Sequence, residues 1–195
     1  MADIVKKTPE LERLFQVLAR HSFKTGDFVL ASGARSNYYL DCRTTSLHPE
    51  GATLIGSLFF EAVKAIEAHK GITIAAVGGM TMGADPLATA VSVTSYLRGA
   101  PLYAFIVRKE EKSHGRGGLV VGRENLPDQA PVVMLEDVVT SGGSTLQAME
   151  KVRDSGLNPV AVLALVDRLA GGREAFEQAG VDFYPLFTKD DFLAR

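Results

Sequence analysis

Hydrophobic and polar residues change rhythm near residue 70. Before it, apolar positions recur at helical spacing. Leu11, Leu14, Phe15 and Leu18 share one face behind Thr8-Pro9, a hydroxyl cap with proline at the first helical position. A second helix is expected over about 49–69, and two short strand-like pieces lie between, near 28–30 and 38–40. After residue 70, short apolar runs rich in β-branched residues follow one another at 73–77, 102–107, 132–135 and 160–166. They lack the alternation of a half-solvated strand. Helical segments separate them. One starts at Asp85-Pro86 and runs to about Leu97, one follows Ser144 and stops at Ser155-Gly156, and a short one covers 173–179 before Gly180.

Continuously apolar strands alternating with helices predict an α/β protein with a mostly parallel sheet flanked by helices. Such sheets bind ligands at the carboxyl ends of their strands. A chain of 195 residues fits one domain. Its core is expected over about 46–180. The segments 1–45 and 181–195 fall outside the alternating pattern and are expected to form a small hood lobe.

Composition narrows the partners. A net charge of −2 gives no reason to expect nucleic acid or an anionic membrane. The amino-terminal stretch interleaves acid and base unlike a signal peptide, and no uninterrupted apolar run reaches spanning length. Cys42 is the lone cysteine, so an internal disulfide is excluded, and a reducing, cytoplasmic setting is expected. Its apolar surroundings predict a buried thiol. His21, His48 and His69 are expected on the surface.

The densest chemistry lies at 132–145. Four apolar residues run into Glu136-Asp137, two valines follow, and then Thr140, Ser141, Gly142, Gly143 and Ser144 lead into a helix. Free N–H groups and the positive end of a helix dipole make such a loop an anion site. The carboxylates would repel a phosphate at close range and are better suited to hydroxyls or a metal. A ligand with a phosphate beside a hydroxyl-rich sugar satisfies both halves. No Gly-Lys-Ser/Thr follows, which separates the segment from a P-loop.

A second constellation follows the run at 102–107. Arg108, Lys109, Lys112, His114 and Arg116 are interspersed with Gly115, Gly117 and Gly118. A glycine-rich cationic loop at the carboxyl edge suits a departing polyanion. One donor aimed at developing charge is typically worth ~3 kcal/mol.

The first segment resembles the 5-phosphoribosyl-1-diphosphate (PRPP) motif of type I phosphoribosyltransferases. With the second loop, Ser32-Gly33, Tyr38-Tyr39-Leu40-Asp41 and Val166-Asp167-Arg168, the resemblance narrows to the orotate-using branch and spans about 23–168. It implies transfer of phosphoribose from PRPP to orotate, giving orotidine 5′-phosphate and pyrophosphate, with Mg²⁺ carried mainly by PRPP and no dedicated protein metal site. It implies that Glu136 and Asp137 bond the ribose hydroxyls. Val138, Val139, Thr140, Ser141, Gly142, Gly143 and Ser144 would hold the 5-phosphate, and Thr140 would also reach orotate. Arg108, Lys109, Lys112 and His114 would contact pyrophosphate, and Lys109, Lys112, His114 and Asp137 are the catalytic candidates. His114 could serve as a neutral donor or transfer a proton. Arg168 would meet the orotate carboxylate. Tyr38 and Tyr39 could line the base pocket or pack a lobe interface. The resemblance also implies a homodimer with the cationic loop shared between subunits.

The chain departs from that pattern at two positions. Ala31 and Met82 stand where many members carry lysine, and Thr81, the backbone at Gly83 and the helix near Asp85 are expected to compensate. Two other functions remain open on sequence: transfer to a purine base, and a PRPP-sensing regulator without catalysis.

Overall fold

The computed structural model describes residues 4–29, 33, 35–110 and 118–194. Helix α1 (Pro9–His21) starts as expected, with the Thr8 hydroxyl accepting the Leu11 N–H at 3.1 Å. Strands β1 (Phe23–Val29) and β2 (Arg35–Leu40) form an antiparallel hairpin with an irregular register near its middle. A one-turn helix α2 (Arg43–Ser46) connects it to α3 (Pro49–Lys70), which Gly71 ends in the left-handed conformation.

The remaining strands build one sheet. They are β3 (Ala76–Met80), β4 (Tyr103–Val107), β5 (Val120–Val121), β6 (Pro131–Val139), β7 (Asn158–Asp167) and β8 (Asp182–Thr188), in spatial order β5-β4-β3-β6-β7-β8. Strands β3, β4, β6, β7 and β8 pair in parallel, and the short β5 runs antiparallel to β4. Helices α4 (Ala84–Leu97), α5 (Gly143–Asp154) and α6 (Gly172–Gln178) connect them, and α7 (Lys189–Leu193) closes the described chain.

Alternate residues of β6 explain why both faces are covered. Val133 and Leu135 enter a cluster with Phe59, Val63 and Leu87 of α3 and α4, whereas Val132 and Met134 enter one with Met149, Val152 and Phe176 of α5 and α6. Each buried Val or Leu contributes roughly 1.5–3 kcal/mol. Strands with two apolar faces cannot alternate in sequence, as the pattern implied.

Several boundaries differ from the sequence expectation. Strand β3 lies three residues later than expected and contains Gly78-Gly79. The glycines are needed by close approach, since a Cβ on Gly79 would lie 2.2 Å from the Leu135 carbonyl oxygen. Strand β6 runs four residues past Leu135 and takes in the acidic pair, because its ladder with β7 continues to Val139–Asp167. Residues 182–188 form β8 in the main sheet, where the pattern had assigned them to the hood. Phe183, Leu186 and Phe187 are buried there, and Pro185 is tolerated on an edge strand. Of the carboxyl-terminal segment, α7 joins the hairpin and α1. Phe192 stacks on Phe15 at 4.9 Å and on Phe23 at 5.4 Å. Among the described residues no helix is long and apolar enough to cross a membrane.

Candidate active site

The carboxyl ends of β3, β4, β6 and β7 carry Thr81, Arg108, Thr140 and Arg168 respectively. The parallel pairing thus gathers at one edge four segments that are far apart in sequence.

Strand β6 splits its acidic pair between the two faces of the sheet. Glu136 points to the α5 side. It is 8% exposed, and its Oε2 accepts the Thr145 hydroxyl at 2.7 Å. Burial pushes its carboxyl up to about 7, with the like charge of Asp137 adding to the rise and the Thr145 bond opposing it. Asp137 points to the α4 side and packs on Gly83, where a Cβ would lie 2.7 Å from its Oδ1. Its Oδ1 accepts the Val138 N–H at 2.8 Å. Burial raises this carboxyl too, against the opposing pull of the Arg43 charge.

The loop after β6 turns sharply at Gly142, whose φ of 78° is left-handed, and α5 begins at Gly143. No side chain caps α5, and its first turn carries no acid. Its amino end therefore offers uncapped N–H groups and a positive dipole end. Thr140, Ser141, Gly143 and Ser144 are exposed beside it, whereas Val139 is buried, so that residue can meet a ligand only through its backbone.

The cationic loop springs from the base of a hairpin. Arg108 N–H donates to the Leu119 carbonyl at 2.8 Å just beyond the β4–β5 ladder. Lys151 of α5 donates its Nζ to the carbonyls of Arg108 at 3.1 Å and Lys109 at 2.8 Å. This ties the loop base to the helix that starts the anion site. Lys112 and His114 lie outside the described residues, as do Ala31 and Ser32.

Arg168 meets one of the two tyrosines. Its Nε donates to Tyr38 Oη at 3.1 Å, and its guanidinium carbon lies 5.2 Å from the Tyr38 ring centroid. Its backbone N–H donates to the Val139 carbonyl at 2.9 Å, which locks the end of β7 to the end of β6. Tyr39 faces away from Tyr38 on the hairpin, 40% exposed and packed on Phe28 at 5.6 Å. The strand period brings Tyr38 to the site and leaves Tyr39 off it.

Sequence reasoning assigned no part to Thr145, Arg43 or the buried Asp167. Asp167 is fully buried, and its Oδ1 accepts the Leu169 N–H at 2.8 Å in the turn that presents Arg168. Thr81 donates its hydroxyl to Asp85 Oδ2 at 2.9 Å. Cys42 is fully buried as expected, and burial pushes its thiol well up. His21 and His48 are not separate surface residues but stack at 4.8 Å. Among the described residues no three His, Cys, Asp or Glu side chains converge to hold a metal. Glu136 and Asp137 are hard oxygen donors but face opposite sides of β6, so either alone could join a Mg²⁺ shell that a ligand completes.

A parallel sheet with an acidic pair at a central strand end, a glycine-hydroxyl loop and an uncapped helix defines the type I phosphoribosyltransferase class. Known proteins narrow this further. The chain is 48% identical over 184 residues to an orotate phosphoribosyltransferase of Sorangium cellulosum, covering 94% of this chain and 93% of that one. It is 46% identical to another from Rhodopirellula baltica, with 94% of each chain covered. A crystal structure of the Mycobacterium tuberculosis orotate phosphoribosyltransferase in complex with PRPP superposes with a TM-score of 0.76 at 33% identity, covering 94% of this chain and 99% of that one. No protein-family model matches the chain. The chain belongs to the orotate phosphoribosyltransferase family.

Proposed function

We propose that the chain transfers the 5-phosphoribosyl group of PRPP to orotate, releasing pyrophosphate and forming orotidine 5′-phosphate for pyrimidine biosynthesis. One observation carries the assignment of the site: β6, its loop and α5 place two carboxylates and an uncapped helix terminus within one strand–turn–helix. The uncapped N–H groups of Gly143, Ser144 and Thr145 take the 5-phosphate, with the Thr140, Ser141 and Ser144 hydroxyls around it. Glu136 and Asp137 accept the ribose hydroxyls from the two sides of the strand end. The base nitrogen then attacks the anomeric carbon as the carbon–oxygen bond to pyrophosphate breaks.

Arg168, steadied by Tyr38, meets the orotate carboxylate. This pairing favours orotate over a purine, which has no carboxylate to match a guanidinium. Arg108, Lys109, Lys112 and His114 draw off the negative charge that builds on the leaving group. Mg²⁺, held mainly by PRPP oxygens, would neutralise part of that same charge.

The reading extends to a cytoplasmic homodimer. Leu47, Met82, Val93 and Leu97 are 56–78% exposed around a groove between α2, α3 and α4, a concentration of apolar surface that a second copy would cover. The cationic loop would then be completed across subunits.

The activity is tested by following loss of orotate absorbance with PRPP and Mg²⁺, with Lys112→Ala in parallel. Mg²⁺-dependent turnover that collapses in the variant is expected. PRPP consumption with adenine or hypoxanthine and none with orotate would overturn the substrate. PRPP binding without turnover on any base would favour a regulator.

A further inference from the structure

Arg43 stands directly after the hairpin, held by a neighbour two residues back. Its Nε donates to Asp41 Oδ1 at 2.8 Å, its Nη2 to Asp41 Oδ2 at 2.8 Å, and its backbone N–H to Oδ1 at 3.1 Å. A guanidinium has five N–H donors, so this fork leaves three of them without a partner among the described residues. The side chain is 47% exposed.

The turn beneath it is anchored. Thr44 Oγ1 donates to the Asp41 carbonyl at 2.9 Å, and Ser22 and Thr45 share a buried hydroxyl contact at 2.6 Å. Cys42 is fully buried between the two charged residues. The guanidinium is thus fixed in place before any ligand arrives, which lowers the ordering cost of binding.

Arg43, Met82 and Asp85 line one groove of about 680 Å³. Gly83, between Met82 and Asp85, packs on the Asp137 carboxylate. The groove therefore comes up to Asp137, the member of the acidic pair on the α4 side, where the ribose of PRPP would lie. Asp85 lines the groove, Asp41 lies behind Arg43 and Asp137 behind Gly83, while Met82 brings no charge. A diphosphate at this Gly83 end of α4, away from the Val93 and Leu97 stretch that a second copy would cover, gains from a cation on the protein as well as its own Mg²⁺. The electrostatic pull of Arg43 on Asp137 is consistent with that proximity.

We propose that Arg43, presented by Asp41, binds the diphosphate of PRPP. The inference rests on the reading of the site as a phosphoribosyltransferase centre. It adds a ligand from the hairpin side, independent of the cationic loop.

Orotidine 5′-phosphate shares the ribose and 5-phosphate with PRPP but has no diphosphate. Calorimetric binding of PRPP, inorganic pyrophosphate and orotidine 5′-phosphate, all with Mg²⁺, to the full chain and to R43Q, R43K and D41N therefore separates the cases. Loss of one charge-assisted contact should weaken PRPP and pyrophosphate by about 10- to 100-fold in R43Q. R43K and D41N should fall between it and the wild type. Orotidine 5′-phosphate affinity should stay within about twofold. Equal losses for all three ligands would mean that Arg43 only shapes the site, and unchanged PRPP affinity would mean that it does not touch the diphosphate. Either result overturns the proposal. A wild-type chain that binds neither PRPP nor orotidine 5′-phosphate would instead overturn the phosphoribosyltransferase reading from which it starts.

Discussion

Replacing Glu136 by glutamine should stabilise the free protein while weakening its hold on PRPP. Burial raises this carboxyl from the ordinary 4.5 to about 7. The folded chain therefore binds the proton more tightly than the unfolded chain does. Stability from this group is complete below the unfolded value and is lost as pH rises through the folded one. At roughly 1.4 kcal/mol per pKa unit, the loss is about 3 kcal/mol once both states are ionised. Glutamine keeps an oxygen for the Thr145 hydroxyl, now at 2.7 Å, and carries no charge to desolvate. Denaturant unfolding without ligand should give matching free energies for the two proteins near pH 4. The variant should be ahead by up to about 3 kcal/mol near pH 8. A difference independent of pH, or none near pH 8, would refute the reasoning, because Glu136 would then ionise in the fold at little cost. The wild type accepts this cost for function, since the ionised carboxylate accepts ribose hydroxyls more strongly than an amide does.

The other predictions test separate parts of the site. Gly83→Ala should raise the KM for PRPP about tenfold and destabilise the fold by roughly 1–3 kcal/mol, because its methyl would press on Asp137; steady-state kinetics and thermal melts check this. Arg168→Lys should raise the KM for orotate by about 10- to 100-fold, with a much smaller effect on PRPP, since lysine cannot reproduce a planar fork held by Tyr38. Lys151→Met should lower kcat several-fold by loosening the base of the cationic loop, with stability changed by about 1 kcal/mol or less. Leu97→Asp, at a 78% exposed position on the apolar groove, should shift the chain from dimer to monomer in light scattering.

The sequence made the central architecture legible where one signal dominated. Val132, Val133, Met134 and Leu135 could only be a buried strand, and Gly142-Gly143 before a helical pattern could only be a turn into a helix. It was less informative where two tendencies competed. Glu136 and Asp137 are poor strand formers, so the apolar run seemed to end at Leu135, yet the ladder with β7 carries the strand on to Val139. Strand β8 fell outside the alternating strand–helix pattern, and it contains Pro185, which an edge strand tolerates. In β1 the exposed Lys24, Thr25, Gly26 and Asp27 hide the strand, which is set by its pairing with β2 rather than by burial. Tyr38 and Tyr39 are alike in sequence, and only the strand period, with the Arg168 contact on one side, distinguishes them. Contacts such as Glu136–Thr145 and Arg168–Tyr38 join residues 9 and 130 positions apart and leave no local signal.

The central claim is that one strand–loop–helix holds PRPP for transfer to orotate. A crystal structure of the protein with PRPP, Mg²⁺ and an unreactive orotate analogue tests it most directly. The account predicts the 5-phosphate on the N–H groups of Gly143, Ser144 and Thr145, the ribose hydroxyls on Glu136 and Asp137, and the analogue's carboxylate on Arg168. A 5-phosphate bound away from the start of α5, or ribose hydroxyls turned from both carboxylates, would contradict it.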